Sequence, residues 1–429
     1  MAEPSDDVAG GTEDSSGRMT QEPAGPERQV LALNAGSSSL KAALYRVGDD
    51  TPLVLAVEMD RIGSDCERLR IRDARGALVV ERQGDLPDYQ AALTTLFAAL
   101  AEHASTDRLV AVGHRIVHGG SRYAQPQWVS PELIAALQDL APMDPTHMPQ
   151  ALAGIAFVSQ AHPALPQAAC FDTTFHRRMP RVAQMLPLPP QFQDAGMVRF
   201  GFHGLSYEFI TGELRRLDPV AAAGRVLVAH LGNGASMAAI VSGQSVDTTM
   251  GFTPNSGLVM GTRCGDIDPG VLIYLLERKK MTPREVNALL DGRSGLLGIS
   301  GSSQDMRDLL SSEATDPRAA DAIALFCYRA KKYLGALASA MGGVDSLIFT
   351  GGMGEQAAVI RARICAGQGF LGIELDPAAN QANAPVISSR GSAVTVRVLR
   401  TNEERIIAGH TIALLGLQDD NRVQESLHV

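Results

Sequence analysis

Gln29-Val30-Leu31-Ala32-Leu33-Asn34-Ala35-Gly36-Ser37-Ser38-Ser39-Leu40-Lys41 governs how the rest of the chain is read. Residues 29–34 form an apolar run of strand length, 35–39 are small and hydroxylated, and the strand pattern resumes from Leu40 to Val47. Small residues let a backbone approach a ligand closely, hydroxyls donate to phosphate oxygens, and Lys41 adds positive charge. The segment therefore reads as a phosphate-binding hairpin, although it lacks the G-x-x-x-x-G-K-[ST] pattern of a P-loop. Glycine and serine suit an ordinary tight turn equally well. A second copy alters the balance. Arg225 to His230, the turn Leu231-Gly232-Asn233-Gly234-Ala235-Ser236 and the returning run Met237 to Ser242 repeat the arrangement roughly 200 positions downstream. That distance implies duplication of a whole domain rather than a short solenoid repeat. Two such hairpins facing each other would clamp a triphosphate from both sides.

The length of 429 residues suits two domains of ordinary size. Hydrophobic residues at 45% and charged residues at 20% allow a packed core throughout, as in a globular chain. A net charge of −9 argues against sequence-independent binding of nucleic acid. The five cysteines, Cys66, Cys170, Cys264, Cys327 and Cys365, show no C-x-x-C spacing, so neither a zinc site nor a disulfide framework is expected, and a reducing cytoplasm fits. No apolar run approaches the ~20 residues of a membrane span, so no membrane partner is expected. Residues 1–28, rich in Asp, Glu, Ser, Gly and Pro, read as a disordered extension rather than a signal peptide. Helical spacing at Tyr89, Leu93, Leu96, Phe97 and Leu100, and a Ser130-Pro131 helix start, lie between the two hairpins. Alternating strands and helices predict an α/β fold. A long helix is expected from Ala319 to Met341, a buried strand from Val344 to Thr350, another from Val394 to Leu399, and a last helix to about Leu415. The organisation expected is an N-terminal lobe over 29–176 with the helix 403–418 packing back on it, a C-terminal nucleotide-binding lobe over 177–402, and a flexible tail over 419–429.

Several segments carry candidate chemistry. In Gly113-His114-Arg115-Ile116-Val117-His118-Gly119-Gly120, Arg115 sits where the chain is expected to turn and suits bidentate carboxylate recognition, or a surface ion pair. Asp172, after the apolar stretch ending at Phe171, has three roles open to it: base, metal-shell ligand or helix cap. His203 lies between glycines before a helix, exposing its imidazole to a cleft. Arg263 occupies a polar loop with Asp266 and Asp268 that is also able to pair internally. Asp305 and Arg307 reach a nucleotide or cap a helix. Val344 to Thr350 runs into Gly351-Gly352-Met353-Gly354-Glu355, the strand, glycine turn and helix start that a phosphate approach needs. Thr401 and Glu404 have capping-box spacing, which offers Glu403 and Glu404 a role in starting the last helix.

Taken together and in this order, these segments resemble the acetate kinase family over about residues 29–418. The resemblance implies duplicated ribonuclease H-like domains of the actin and hexokinase type, with the active site in the interdomain cleft. It also implies a homodimer that transfers the γ-phosphoryl group of ATP to acetate, giving acetyl phosphate and ADP, with Mg²⁺ or Mn²⁺. By resemblance, Asn34 and Glu403 sit near the metal, Asp172, His203 and Arg263 are catalytic, and Arg115, Val117, Met143, Phe202 and Pro254 line the acid site. Lys41, the run His230, Leu231, Gly232, Asn233 and Gly234, the run Asp305, Met306 and Arg307, and the run Gly352, Met353, Gly354, Glu355 and Gln356 meet the nucleotide. The pattern departs from the family at Met143-Asp144-Pro145-Thr146-His147-Met148-Pro149, where many members have Leu-His-Asn-Pro, in a loop that lines the family's acyl pocket. Gln356 replaces asparagine, Tyr207 histidine and Cys264 serine. Two readings compete: a propionate or butyrate kinase, differing in pocket volume, and an actin- or chaperone-like nucleotide switch. The switch has no need of Arg115, His203 and Arg263 around a second anion.

Overall fold

The computed structural model describes residues 27–416 apart from 37, 49, 65, 85 and 105; the expected extension up to 26 and the tail 419–429 lie outside the described residues. Strand β1 (Gln29–Ala35) is buried at all seven positions, and its side chains divide between two faces as the strand period requires. Leu31 and Leu33 pack with Leu93, Leu96 and Val158 from the helices Tyr89–His103 and Met148–Ala161. Val30 and Ala32 pack with Ile407, Ala408 and Ile412 of the last helix, Glu403–Leu414. A strand covered on both faces must be apolar throughout, which is why this stretch reads as a continuous run.

Around β1 the first sheet adds β2 (Ser39–Arg46), β3 (Leu53–Asp60), β4 (Arg68–Asp73), β5 (Leu78–Gln83), β6 (Leu109–Ile116), β7 (Gln127–Trp128) and β8 (Gln167–Phe171). Their order is β5-β4-β3-β2-β1-β6-β8-β7. The second sheet comprises β9 (Arg225–Leu231), β10 (Ala235–Val241), β11 (Gln244–Thr248), β12 (Ser346–Thr350) and β13 (Thr395–Val398), ordered β11-β10-β9-β12-β13. The five strands β3-β2-β1-β6-β8 match this second order: an antiparallel meander of three, then two strands parallel to the first. β9 also repeats the two-faced burial. Leu227, Ala229 and Leu231 meet the helix Pro317–Ala340, whereas Val226 and Val228 meet Tyr207, Ile210 and Leu214 of the helix Gly204–Leu217. Both sheets thus carry the doubled hairpin at their centre, with β4, β5 and β7 as additions to the first.

Local signals fix the element ends. Ser130 accepts a hydrogen bond from the Leu133 amide and caps the helix Pro131–Leu140 as its sequence implied. The long helix starts at Pro317, two residues before the expected Ala319, because Asp316 caps it through the Arg318 amide. It ends at Ala340, before Gly342 turns through φ +71°. Gly113 is required by packing: a Cβ there would lie 2.2 Å from Thr411 Oγ1 and 2.7 Å from Ile407 Cγ2, so its absence lets the last helix lie flat on β6.

Candidate active site

A cleft of ≈ 810 Å³ opens between the two sheets and is lined by both hairpins. Strands β1, β6 and β8 are parallel, and Asn34, Arg115 and Asp172 stand at their carboxyl ends, where open α/β sheets commonly bind ligands. Arg115 is still within β6, one residue before its end, so the turn expected at this arginine comes after Ile116. Its Nε and Nη2 donate to Asp172 Oδ2 at 3.0 and 2.6 Å, and Nη1 donates to Asn34 Oδ1 at 3.1 Å. Asn34 Nδ2 in turn donates to Glu403 Oε2 at 2.8 Å and Glu404 Oε1 at 2.9 Å. Of the five N–H donors of Arg115, three are used by these bonds, which leaves one on each terminal nitrogen for a second carboxylate.

These charges shift one another. Burial pushes the Asp172 carboxyl above the ordinary carboxylate range, with Glu403 adding to the rise and Arg115 opposing it. For Glu403, burial is outweighed by Arg115, His230, Lys41 and Asn34, and its carboxyl is held below that range. Burial works against the Lys41 ammonium, yet Glu404, Glu403, Glu58 and Asp60 raise it above its usual value. The last helix is capped by Asn402, whose Oδ1 accepts from the Arg405 amide at 2.9 Å and from Tyr45 OH at 3.0 Å. The capping box expected from Thr401 and Glu404 is therefore absent, and both glutamates turn into the cleft.

The second sheet presents its strand ends to the same space. His230 lies at the end of β9, and the short helix Gly351–Gln356 starts directly after β12. Gly351 has φ +76°, and a Cβ on it would meet Leu231 O at 2.8 Å, so glycine is what allows the chain to pass here. Glu355 folds back, its Oε1 accepting from the amides of Gly351 at 3.1 Å and Thr401 at 3.2 Å. His203, in the left-handed conformation at φ +58°, begins the helix Gly204–Leu217. It stacks on His230 at 4.4 Å between ring centroids. Burial, then the neighbouring His230, Arg115 and Arg263, push the His203 imidazole well down; burial takes His230 to about 4. Both rings are neutral at neutral pH. His203 Nδ1 faces Ser236 Oγ at 2.8 Å, and His230 Nδ1 faces Ser206 Oγ at 2.8 Å.

Arg263 reaches the cleft from the loop after β11. Its Nε donates to Asp291 Oδ1 at 3.1 Å, Nη1 to Pro254 O at 3.4 Å, and Nη2 to the ring of His147 at 3.3 Å. His147 Nδ1 is 2.9 Å from Asp144 Oδ1, so the ring donates there through Nδ1, while Arg263 Nη2 stands 3.3 Å from both ring nitrogens. A Cβ added at Gly234 would stand 3.2 Å from His203 Nε2 and 3.7 Å from Arg263 Nη1, which places these two nitrogens around the second hairpin's turn.

Of the residues singled out from sequence, Asn34, Lys41, Arg115, Val117, Asp172, Phe202, His203, His230, Gly232, Asn233, Gly234, Pro254, Arg263, Gly352, Glu355 and Glu403 line the cleft. Met143 instead ends a short turn, Ala141–Met143, and packs against the large core. Leu231 and Met306 are buried in that core. Asp305 caps the helix Met306–Ser312, and Arg307 folds back on it at 2.5 Å with its side chain 85% exposed, so their contact is with each other. Met353, Gly354 and Gln356 sit in the short helix beyond the cleft wall. Sequence reasoning missed His147, Asp291, Glu404 as a cleft acid, and the hydroxyls of Ser206 and Ser236. Only Asp144 and His147 carried a local signal, the i,i+3 spacing just before the helix Met148–Ala161.

The acetokinase family model matches residues 29–409. An acetate kinase of Methylocella silvestris is 45% identical over 400 residues, covering 90% of this chain and 98% of that protein. A propionate kinase of Citrobacter rodentium is 40% identical, covering 89% and 95%. Among solved structures, the acetate kinase of Porphyromonas gingivalis superposes with a TM-score of 0.78 at 36% identity, covering 90% of this chain and 100% of that one. With the duplicated sheets, the shared cleft and these matches in agreement, the chain belongs to the acetokinase family.

Proposed function

We propose that the protein transfers the γ-phosphoryl group of ATP to the carboxylate of acetate, forming acetyl phosphate and ADP, and catalyses the reverse. The observation that carries this reading is the meeting of Arg115, His203 and Arg263 in one cleft lined by both hairpins. A carboxylate is already a competent nucleophile at neutral pH, so no base is needed to activate it. The barrier lies in bringing two anions together. The two unused N–H groups of Arg115 hold the acid, and Val117, Phe202 and Pro254 enclose its methyl group. His203 and Arg263 donate to the equatorial oxygens of the phosphoryl group as it passes in line from the terminal bridging oxygen of ATP to the carboxylate oxygen. Lys41 and the turns at Gly232–Gly234 and Gly351–Gly352 hold the phosphates.

A divalent cation fits the first hairpin. Asp172 Oδ1 is buried without a hydrogen-bond partner, and the carboxylates of Glu403 and Glu404 flank Asn34, a set of hard oxygens that suits Mg²⁺ or Mn²⁺. No three acids, imidazoles or thiols among the described residues close on a metal by themselves, so nucleotide oxygens would complete the shell. When bound, the cation would neutralise phosphate charge. Asp172 orders this end of the cleft rather than acting as a strong base.

No helix among the described residues is long and apolar enough to cross a membrane, and we place the enzyme in the cytoplasm. A homodimer is supported by the helix Pro269–Glu277, which buries none of its residues and exposes Ile273 and Tyr274 at 53% each. The test is a panel of short carboxylates with Mg-ATP, trapping acyl phosphate with hydroxylamine. Hydroxamate from acetate, and less from propionate, is expected. No hydroxamate from any acid would overturn the proposal, and ATP turnover independent of added acid would favour a nucleotide switch.

A further inference from the structure

His203 is a useful donor to a phosphoryl oxygen only if its cleft-facing nitrogen, Nε2, carries the proton. Its other nitrogen, Nδ1, faces Ser236 Oγ at 2.8 Å, and the same Oγ lies 2.5 Å from the hydroxyl of Tyr207. Ser236 has one proton and two partners; its oxygen accepting from both would strand that proton, because the fully buried Oγ meets only His203 and Tyr207 among the described residues, so two ways to arrange the chain remain. In one, Nδ1–H donates to Ser236, Ser236 donates to Tyr207, and the phenolic proton must find another acceptor. Tyr207 is fully buried, and Ser236 is its hydroxyl's only hydrogen-bond partner among the described residues. The ring of His176 beside it, 5.4 Å between centroids, already uses both nitrogens on Ser245 Oγ and Phe202 O. That arrangement strands a buried donor, which folded proteins avoid. In the other, Tyr207 donates to Ser236, Ser236 donates to Nδ1, and every buried proton has an acceptor.

We infer that Ser236, whose oxygen accepts from the Tyr207 phenol, is a positioning residue that fixes His203 as the Nε2–H tautomer, so that the neutral ring is a permanent donor into the cleft beside Arg263. His230, stacked on the same ring, is wired differently. Its Nδ1 meets Ser206, which meets Thr401 Oγ1 at 2.8 Å, and Thr401 lines the open cleft. The last hydroxyl of that chain reaches solvent or ligand, so nothing there dictates a direction. The buried Ser236 hydroxyl, together with the buried phenol, makes the His203 chain one-way. Burial holds that phenol well above its ordinary pKa, which keeps its proton in place across the working range. The donation to phosphate rests on the function proposed above; the tautomer does not.

The experiment is a long-range ¹H–¹⁵N spectrum of the full chain with ¹⁵N-labelled histidine, the His203 ring being assigned by its loss in His203→Gln. The wild-type ring is expected as Nε2–H. In Tyr207→Phe the Ser236 proton has only Nδ1 left to meet, so the ring is expected to stay Nε2–H. In Ser236→Ala, which removes the donor to Nδ1, the ring is expected to become a mixture or to reverse to Nδ1–H, and kcat falls on the order of 10-fold or more while KM for ATP and for the acid changes little. An Nδ1–H ring in the wild type or in Tyr207→Phe, or an unchanged Nε2–H ring in Ser236→Ala, overturns the inference. Since the spectrum needs no turnover, a failed carboxylate assay leaves this result readable, and a wrong tautomer in an active enzyme sinks the inference alone.

Discussion

Around the first hairpin, Arg115, Asp172, Glu403 and Glu404 meet at Asn34 in a web of charge-assisted hydrogen bonds, and the same glutamates raise the pKa of Lys41. Around the second, His203, His230, Ser206, Ser236, Tyr207 and Thr401 meet with no formal charge. The backbones match: Asn34 pairs with Lys41 across one turn as His230 pairs with Ser236 across the other. Duplication therefore repeated the geometry that small turn residues set, while the side chains at equivalent places took up different work. One hairpin holds fixed charge; its copy aims neutral donors, with Arg263 arriving from a separate loop. A site that must bring two anions together needs both, because charge gathers the reactants and a preorganised donor acts where charge moves.

The first way to break this comparison is to remove a charge from the web. Arg115→Ala leaves Asp172 buried without its partner, and losing one member of a buried pair costs roughly 3–5 kcal/mol. Urea denaturation should show a loss of that size, and Arg115→Ala with Asp172→Asn should recover much of it. A loss under about 1 kcal/mol would mean the web is not interlocked. Next in size is Arg263→Ala. It is expected to lower kcat by roughly 10²-fold or more, about 2.7 kcal/mol on the barrier, because the charge acts mostly in the transition state. A near-normal kcat with only a raised KM would refute that role. Smaller again is the proposed acid pocket, for which the cleft offers Val117, Phe202 and Pro254. Val117→Ala should move the propionate-to-acetate ratio of kcat/KM upward by roughly 10-fold, the worth of about one methylene. No change would show that the wall facing the methyl group lies elsewhere.

The hairpins were legible because their strands are buried on both faces and must be apolar, and because small residues cluster only where the chain turns tightly. The site was legible where residues sit at strand ends beside such turns, as Asn34, Arg115, Asp172, His203 and His230 do. It was not legible where function depends on pairing across the fold. Glu404 reaches Asn34 over 370 positions, and no local pattern announces it. Asp291 supports Arg263 from the end of a helix whose own signals concern only its capping box at Thr282 and Glu285. The cap at Asn402 shows the converse. A plausible local motif at Thr401 and Glu404 lost to a tertiary one, since Tyr45 OH engages Asn402 and the glutamates find Asn34.

The two halves are also joined, and the joint gives the smallest expected effect. His410 belongs to the last helix, which packs on the first sheet; its Nε2 lies 2.8 Å from Glu208 Oε1 on the helix that His203 begins. Burial pushes the His410 imidazole down, but Glu208 outweighs it, with Cys170 facing the same ring, and the net position is well above the ordinary value. A group whose pKa is higher folded than unfolded stabilises the fold while it is protonated in both states. It loses that contribution as pH climbs through the folded value. The stability from this pair is therefore fully present below about pH 6.5 and declines on the alkaline side of it. The urea midpoint of the wild type should fall between pH 6 and pH 9 more steeply than that of His410→Gln, whose neutral amide can still donate to Glu208. Parallel curves would show that the helices bearing Glu403 and His203 are held by apolar packing, and that charge stays confined to the first hairpin.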